Sequence, residues 1–319
     1  MAEGGSHSVT AIDAKPTLRT RFKSWWDGGE PASCADGSES PYGADPGQGM
    51  REVAERAPEE TARLRLVQEV FGPGFSTPGG AAYVHDLVKP FAPDPSMRVL
   101  DLGAGLGGAT RAMARRFGVQ VVGLEADPVF AEAGMALSAE AGLSHKAPIV
   151  AFDPATFDQR PQSFDRVLSK EFLYSVDNKP AILRAVANAL RVRGQVIFTD
   201  YVRPAPGSRA PSRRTRSDAE PNAPDLWTLE KYRSFLASLR LRVQYAGDIT
   251  AEHHRIVSQS WADYMLKAKR TDLEDGPADA LVGEVERWSR RLQAIERGDL
   301  TVCCVHAEKQ RPVRAVLGR

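Results

Sequence analysis

The feature that most constrains the fold is a glycine-rich break directly after an apolar run, in residues 99–111. The run ends in Asp101, and Gly103, Gly105 and Gly108 follow it with the spacing G-x-G-x-x-G. Such a run is typical of a buried strand, while the glycines permit a tight turn and the close approach of a ligand. The stretch therefore predicts a strand, a turn and the start of a helix around a nucleoside-containing cofactor.

A second acid, Glu125, ends the next apolar run, about twenty residues later. Dinucleotide sites and S-adenosylmethionine sites both use such an acid on a ribose. Asp101 favours S-adenosylmethionine, because a carboxylate beside the glycines suits the cationic amino-acid end of that cofactor and would repel a pyrophosphate. Asp153, after the following strand, is placed to bond the adenine amino group. A nicotinamide cofactor, and a turn that binds nothing, are the alternatives.

Composition limits the remaining classes of function. The 319 residues suffice for one large domain or two small ones, and the net charge of +1 predicts no strong attraction to nucleic acid or membranes. The three cysteines show no Cys-x-x-Cys spacing, which favours a reducing compartment and no bound metal. No apolar run approaches ~18 residues and no signal-peptide core is visible. We therefore expect a soluble, cytoplasmic protein without transmembrane segments; its oligomeric state is left open.

Apolar runs alternate with helical patterns over most of the chain, which predicts an α/β fold. Beyond the strand of the glycine break, strands are predicted at 119–125, 148–152, 164–169, 195–201, 241–246 and 300–306. Helices are predicted from about 58, and at 81–88, 109–117, 128–141, 179–190, 229–239, 254–268 and 278–295. The short connections indicate a doubly wound, mostly parallel seven-stranded sheet of the Rossmann-like type. The helices at 254–268 and 278–295 are expected to cap its carboxyl edge.

Four regions are predicted from these patterns: a flexible extension at 1–57, a cofactor-binding core at 58–202, a Pro/Arg-rich loop at 203–225, and the end of the sheet with its cap at 226–319. The extension is poor in branched aliphatic residues. Within it, a basic and aromatic patch at 19–26 fits a helix docked on the protein body, or a peripheral contact with lipid or with the mouth of the site. The Pro/Arg loop fits a solvated linker, or a loop whose arginines meet an anion.

Candidate catalytic residues follow the strands on the cofactor side. S-adenosylmethionine is a methyl donor, so methyl transfer is the predicted reaction. Methyl transfer from a sulfonium is an in-line displacement, and alignment of the reactants can lower its barrier by ~7–11 kcal/mol. An amine acceptor must also lose a proton to a carboxylate, a tyrosine or water. Glu171 and Tyr174 after the fourth strand, and Tyr201 at the end of the fifth, are placed to face the acceptor. For His253 and His254, at the start of a cap helix, a structural role is favoured over an active-site role.

Five motifs, at residues 71–80, 169–171, 177–180, 198–201 and 248–250, carry a family resemblance. On these motifs the sequence resembles the class I methyltransferases, and among them the phosphoethanolamine N-methyltransferases. The resemblance implies that S-adenosylmethionine is the cofactor, that Lys170 touches it, that Glu171 holds the acceptor amine, and that Tyr201 is an active-site tyrosine. The predicted cofactor contacts are then Gly79, Asp101, Gly103, Gly105, Glu125, Ala126, Asp153, Pro154 and Lys170.

The chain also departs from that family's pattern. Ser175 stands where the family has a catalytic histidine, and residues 51–70 contain no tyrosine to pair with it. The Pro/Arg stretch replaces a tyrosine-rich phosphate site. We therefore expect a small-molecule acceptor other than phosphoethanolamine, with an amine favoured. The alternatives are carbon methylation of a sterol or quinone type of acceptor, and a regulatory subunit that binds the cofactor without turnover.

Overall fold

The computed structural model of the chain describes residues 58–205, 225–267 and 278–311. The predicted extension at 1–57, its basic and aromatic patch, and most of the Pro/Arg loop lie outside these residues. The helices described are α1 (Pro58–Phe71), α2 (Gly80–Leu87), α3 (Gly108–Phe117), α4 (Pro128–Glu140), α5 (Lys179–Ala189), α6 (Leu229–Ser238), α7 (Thr250–Lys267) and α8 (Ala278–Arg297). The strands are β1 (Arg98–Leu102), β2 (Gln120–Glu125), β3 (Ile149–Ala151), β4 (Phe164–Lys170), β5 (Leu190–Val202), β6 (Leu241–Asp248) and β7 (Thr301–Lys309).

The strands form one seven-stranded sheet in the order β3-β2-β1-β4-β5-β7-β6. Strands β1 to β5 pair in parallel, whereas β7 runs antiparallel to both β5 and β6. The mostly parallel, doubly wound sheet predicted from the sequence is confirmed. The order reverses between β1 and β4, and open sheets of this type bind ligands outside the carboxyl ends of the strands at such a point.

Local sequence signals explain where several helices begin and end. Asp127 caps α4, its Oδ1 accepting from the amide of Val129 at 3.0 Å, and Asn178 caps α5 in the same way. A proline in the first turn of each of these helices supplies a backbone angle that suits a helix start. Gly118 ends α3 with a φ of 69°, a conformation that glycine adopts without strain. These signals fix the connections from which the site is built.

The start of β5 differs most from its prediction, and α7 also begins earlier, at Thr250 rather than about 254. Strand β5 begins at Leu190, directly after α5, whereas the sequence predicted a start at 195. The ladder with β4 pairs Phe164 with Leu190 and then resumes at Arg166 with Gln195, so the intervening residues form an irregularity. Arg193 has a φ of 66° within it. The residues between Leu190 and Gln195 are charged and contain a glycine, which is typical of a turn. They form an irregular start of the strand, and the sequence pattern therefore did not predict them as part of β5.

Helix α1 packs with α7 and α8 in one buried apolar cluster above the glycine turn. The helix pair between β6 and β7, predicted to act as a cap, is thus joined by a third helix. None of the described helices has the length and apolar character needed to cross a membrane. The buried members of this cap cluster are Leu64, Leu66, Val67, Val70, Phe71, Leu106, Phe130, Ala133, Val257, Tyr264 and Trp288.

Candidate active site

The carboxyl ends of the central strands bring most of the predicted site residues to one edge of the sheet. Asp101 lies near the end of β1, and Glu125 ends β2. Lys170 ends β4 with Glu171 directly after it, and Tyr201 is the penultimate residue of β5. The point where the strand order reverses, between β1 and β4, lies among these residues. The edge predicted to bind the cofactor and the acceptor therefore carries the side chains predicted to contact them.

Asp101 is a buried carboxylate at the glycine turn. It is 2% exposed, and its Oδ2 accepts a hydrogen bond from Thr110 Oγ1 at 2.7 Å. Burial raises its pKa to about 6, against the opposing effects of the Thr110 hydrogen bond and the Lys170 charge. An ammonium group placed beside this carboxylate would favour its charged form. The geometry therefore fits the cationic end of the predicted cofactor.

Glu125 holds the glycine turn from β2. Its Oε2 accepts from the amide of Gly105 at 2.6 Å, and its Oε1 accepts from the amide of Asp127 at 2.9 Å. Burial raises the pKa of this carboxyl group, and the two amides oppose the shift. Because each carboxylate oxygen can accept more than one hydrogen bond, Glu125 can also receive ribose hydroxyls while it fixes the turn.

The glycines of the turn are required by close approach. Gly103 and Gly105 have φ values of 79° and 55°, in the left-handed region. A Cβ at Gly103 would run into the Phe172 ring, and a Cβ at Gly105 would run into the Ser76 hydroxyl. The turn thus lies between two acids, with Phe172 and Ser76 packed directly against its backbone. These residues fit the predicted cofactor, whose nucleoside lies against such a turn.

Lys170 fastens the glycine-rich loop at 71–80 to the sheet. Its buried Nζ donates to the carbonyl of Pro78 at 2.8 Å and to Thr77 Oγ1 at 3.1 Å, and it lies 5.2 Å from the centroid of the Tyr83 ring. Burial lowers the pKa of this amine. Gly79, in the same loop, caps α2 with a φ of 101°. Lys170 therefore holds the loop over the edge where the cofactor is predicted.

The three other predicted cofactor residues lie at the ends of β2 and β3. Ala126 separates Glu125 from Asp127, the cap of α4. Asp153 and Pro154 begin a 3-10 turn after β3, and Asp153 Oδ1 accepts from the amide of Ala155 at 2.9 Å. Asp153 is exposed. Ala126 thus follows β2, where the ribose contact is predicted, and Asp153 and Pro154 follow β3, where the adenine contact is predicted.

Glu171 is held in an uncommon backbone conformation. Its φ is 52°, and its amide donates to the carbonyl of Thr199 at 2.7 Å, which extends the β4–β5 ladder by one residue. Its side chain is 5% exposed, and Tyr201 Oη donates to its Oε2 at 3.2 Å. A non-glycine residue in this region costs of order 1–3 kcal/mol and is common at functional sites. In this conformation the buried carboxylate faces α7 of the cap.

His253 completes a cluster that the sequence analysis did not expect. At the start of α7, its Nε2 lies 3.0 Å from Tyr201 Oη and its Nδ1 lies 3.6 Å from Glu171 Oε1. Burial lowers the pKa of the imidazole, although Glu171 opposes the shift. The ring is therefore neutral at pH 7. The motif at 248–250 leads into α7 and is the sequence signal that could have pointed to it.

Tyr174 lies in a 3-10 turn after β4 and contacts a second residue that the sequence analysis did not single out. Arg291 of α8 donates from Nη2 to Tyr174 Oη at 2.6 Å. The guanidinium carbon lies 5.3 Å from the centroid of the Tyr174 ring and 4.9 Å from those of Tyr201 and Trp288. Arg291 is 6% exposed. The cap thus adds a buried cation and an indole ring to the tyrosines of the sheet.

Asp200 supports this arrangement from the opposite face of β5. It is fully buried; its Oδ1 accepts from the amide of Tyr174 at 2.9 Å and its Oδ2 accepts from Tyr232 Oη at 2.6 Å. Burial raises its pKa to about 7, against those hydrogen bonds and the charge of Lys179. Asp200 therefore fixes the turn that carries Tyr174, next to the strand position of Tyr201.

Comparisons with known proteins place this geometry in context. The sequence profile of a methyltransferase domain matches residues 80–267. Phosphoethanolamine N-methyltransferase 1 of Arabidopsis thaliana is 25% identical over 246 residues, which cover 77% of this chain and 49% of that protein. A sarcosine/dimethylglycine N-methyltransferase of Halorhodospira halochloris is 36% identical over 109 residues, covering 33% of this chain and 38% of that protein. The chain spans about half the length of the plant relatives it matches.

The fold has counterparts among solved structures. Phosphoethanolamine N-methyltransferase 2 of Haemonchus contortus, in complex with phosphomonomethylethanolamine and S-adenosylhomocysteine, superposes with a TM-score of 0.69. The sequence identity is 21%, and the match covers 79% of this chain and 58% of that one. A sarcosine dimethylglycine methyltransferase structure from Galdieria sulphuraria matches with a TM-score of 0.62 and 17% identity, over 81% of this chain and all of that one. These matches support the fold described above.

Proposed function

The chain belongs to the methyltransferase domain family, and from that premise we propose that it transfers the methyl group of S-adenosylmethionine to the nitrogen of a small amine. When bound, the cofactor supplies a methyl group activated by a sulfonium. Asp101 would hold its ammonium end and Glu125 its ribose, and the backbone of Gly103 and Gly105 would lie against the nucleoside. In the proposed reaction the cap over this edge would exclude water, and alignment of the amine with the methyl group would supply much of the rate enhancement.

The observation that carries the proposal is the buried carboxylate of Glu171. Its side chain is 5% exposed, at the carboxyl edge of the sheet and beside Tyr201. A buried carboxylate is stabilised by a cation or by hydrogen-bond donors, and an acceptor ammonium supplies both. The N-methyltransferases among the relatives of this chain support an amine in that place.

The cluster also provides a destination for a proton. An ammonium must release one proton before its nitrogen lone pair can attack the methyl group. In the proposed step, the ammonium gives that proton to Glu171, which passes it to Nδ1 of His253, 3.6 Å from Oε1. The lowered pKa keeps the ring neutral, and because its Nε2–H donates to Tyr201 Oη, Nδ1 is free to accept. The nitrogen lone pair freed in this way would accept the methyl group of a bound S-adenosylmethionine, whose sulfonium would leave as a neutral thioether. The cap thereby supplies a histidine that position 175 lacks.

The proposal is tested with the full chain and methyl-labelled S-adenosylmethionine. The acceptor panel contains primary, secondary and tertiary amines, phenols, thiols, and a sterol and a quinone. We expect labelled product from amines, and calorimetric binding of S-adenosylmethionine in the absence of NAD binding. Turnover restricted to the sterol or quinone would replace nitrogen by carbon as the acceptor. Binding of the cofactor with no turnover across the panel would favour a regulatory subunit.

A further inference from the structure

Three aromatic rings of the site surround a cation that belongs to the chain itself. We call Tyr174, Tyr201 and Trp288 the aromatic box. The Arg291 guanidinium lies within 5.3 Å of all three ring centroids and donates to the Tyr174 hydroxyl. Arg291 is 6% exposed, and Trp288 precedes it by one turn on α8. The box is therefore filled by a residue of the cap helix.

An ammonium group can be held in this site in two different ways. An ammonium that still carries N–H bonds can donate to the Glu171 carboxylate, which lies next to the box through Tyr201 Oη. A quaternary ammonium has no N–H to donate, so proteins bind it by surrounding it with aromatic faces. Here those faces are already in contact with the guanidinium, whose charge also repels a second cation.

We propose that Arg291 is a specificity residue that occupies the aromatic box and so prevents the site from retaining a quaternary ammonium. An acceptor is held while it carries an N–H for Glu171, and it is released once full methylation removes the last one. The link to the acceptor rests on the proposed function. The occupation of the aromatic box by Arg291 follows only from its contacts with the three rings, and it can be tested without methyl transfer.

The test measures binding of tetramethylammonium to the full chain saturated with S-adenosylhomocysteine, by isothermal titration. For the unmodified chain we expect no more than very weak binding. Arg291→Ala vacates the three ring faces, and its affinity for tetramethylammonium is expected to be at least tenfold higher. Arg291→Lys keeps a cation in the box and should behave as the unmodified chain does. Arg290→Ala is the matched control, since Arg290 lies on the same helix, partly exposed, with Glu286 as its partner.

A second substitution covers the case in which Arg291→Ala fails to fold. Arg291→Gln keeps a hydrogen-bond donor for Tyr174 and removes the charge, and it should also bind the probe more tightly than the unmodified chain.

Unchanged probe affinity in a folded, S-adenosylhomocysteine-binding variant overturns the proposal. It is equally overturned if the variants gain no probe affinity and lose turnover only for acceptors that bear a carboxylate or phosphate, because Arg291 would then contact the acceptor's anion. Absence of amine methylation by the unmodified chain would refute the proposed function and leave the probe measurement intact.

Discussion

At the scale of single residues, Glu171 is the group on which the proposed chemistry most depends. Glu171→Gln keeps the shape of the side chain and removes its charge. If the carboxylate holds a dehydrated ammonium, the loss costs on the order of 2–5 kcal/mol, or roughly a thirty- to several-thousand-fold fall in kcat/KM. Cofactor affinity should barely change, because Asp101 and Glu125 are untouched. Full turnover in the variant, or a loss explained by weaker cofactor binding, would contradict the amine-holding role.

Substitutions of His253 and of its neighbour His254 provide a matched test of the proposed proton transfer. His253→Gln removes the proton acceptor, and kcat is expected to fall by about 100-fold or more. In the unmodified chain kcat/KM should decline as the pH falls through the His253 pKa, which lies below the usual value of 6.5, and the variant should lose that acid limb. His254→Gln is the control, because His254 is one-third exposed and pairs with Glu296. Equal activity of the two variants would remove His253 from the mechanism.

The residues that sequence could predict are those defined by local pattern. Asp101, Glu125 and the glycines follow one another at fixed spacing around a strand end, so their common location is dictated by the βαβ connection. The contact between Tyr201 and His253 spans 52 positions, and that between Tyr174 and Arg291 spans 117. The apolar periodicity of the cap helices indicates which face is buried, but it does not indicate which strand end a polar residue on that face meets. Such contacts depend on packing of the whole cap, and therefore only the structure revealed them.

At the scale of elements, the burial of Asp200 between β5 and α6 makes the free energy of unfolding depend on pH. Folded Asp200 keeps its proton up to about pH 7, whereas an unfolded Asp releases it near 3.8. The folded state thus binds more protons between these values, and the free energy of unfolding should fall as the pH rises through this range, by at most ~1.4 kcal/mol per pH unit from this group.

Asp200→Asn isolates that contribution. Urea titrations of both proteins between pH 5 and 8 should give a flatter dependence for the variant. Asp101, with a pKa of about 6, acts in the same direction and remains in both proteins, while His253 acts in the opposite direction below pH 6.5. Parallel curves for the two proteins would show that Asp200 does not carry the shifted titration.

At the scale of the whole molecule, α1 and the cap helices stabilise the glycine-rich loop together. Phe71 ends α1 and begins that loop; it is 5% exposed, and its ring lies 5.2 Å from that of Trp288. Phe71→Ala should lower the free energy of unfolding by about 3–5 kcal/mol, measured by urea denaturation. Val282→Ala, on the exposed face of α8, should change it by less than ~0.5 kcal/mol. Similar losses in both would mean that the cap cluster is not a stabilising core.

The position of β7 between β5 and β6 has a consequence for synthesis on the ribosome. Strand β6 is complete at Asp248, yet its partner in the sheet begins at Thr301. Until β7 emerges, β6 has no neighbouring strand and β5 presents an open edge, which is the kind of surface that recruits other chains. The sheet can therefore be completed only after β7, which follows both cap helices in the sequence, has been synthesised. Chaperone protection of that interval would raise the yield of folded protein without altering its final stability.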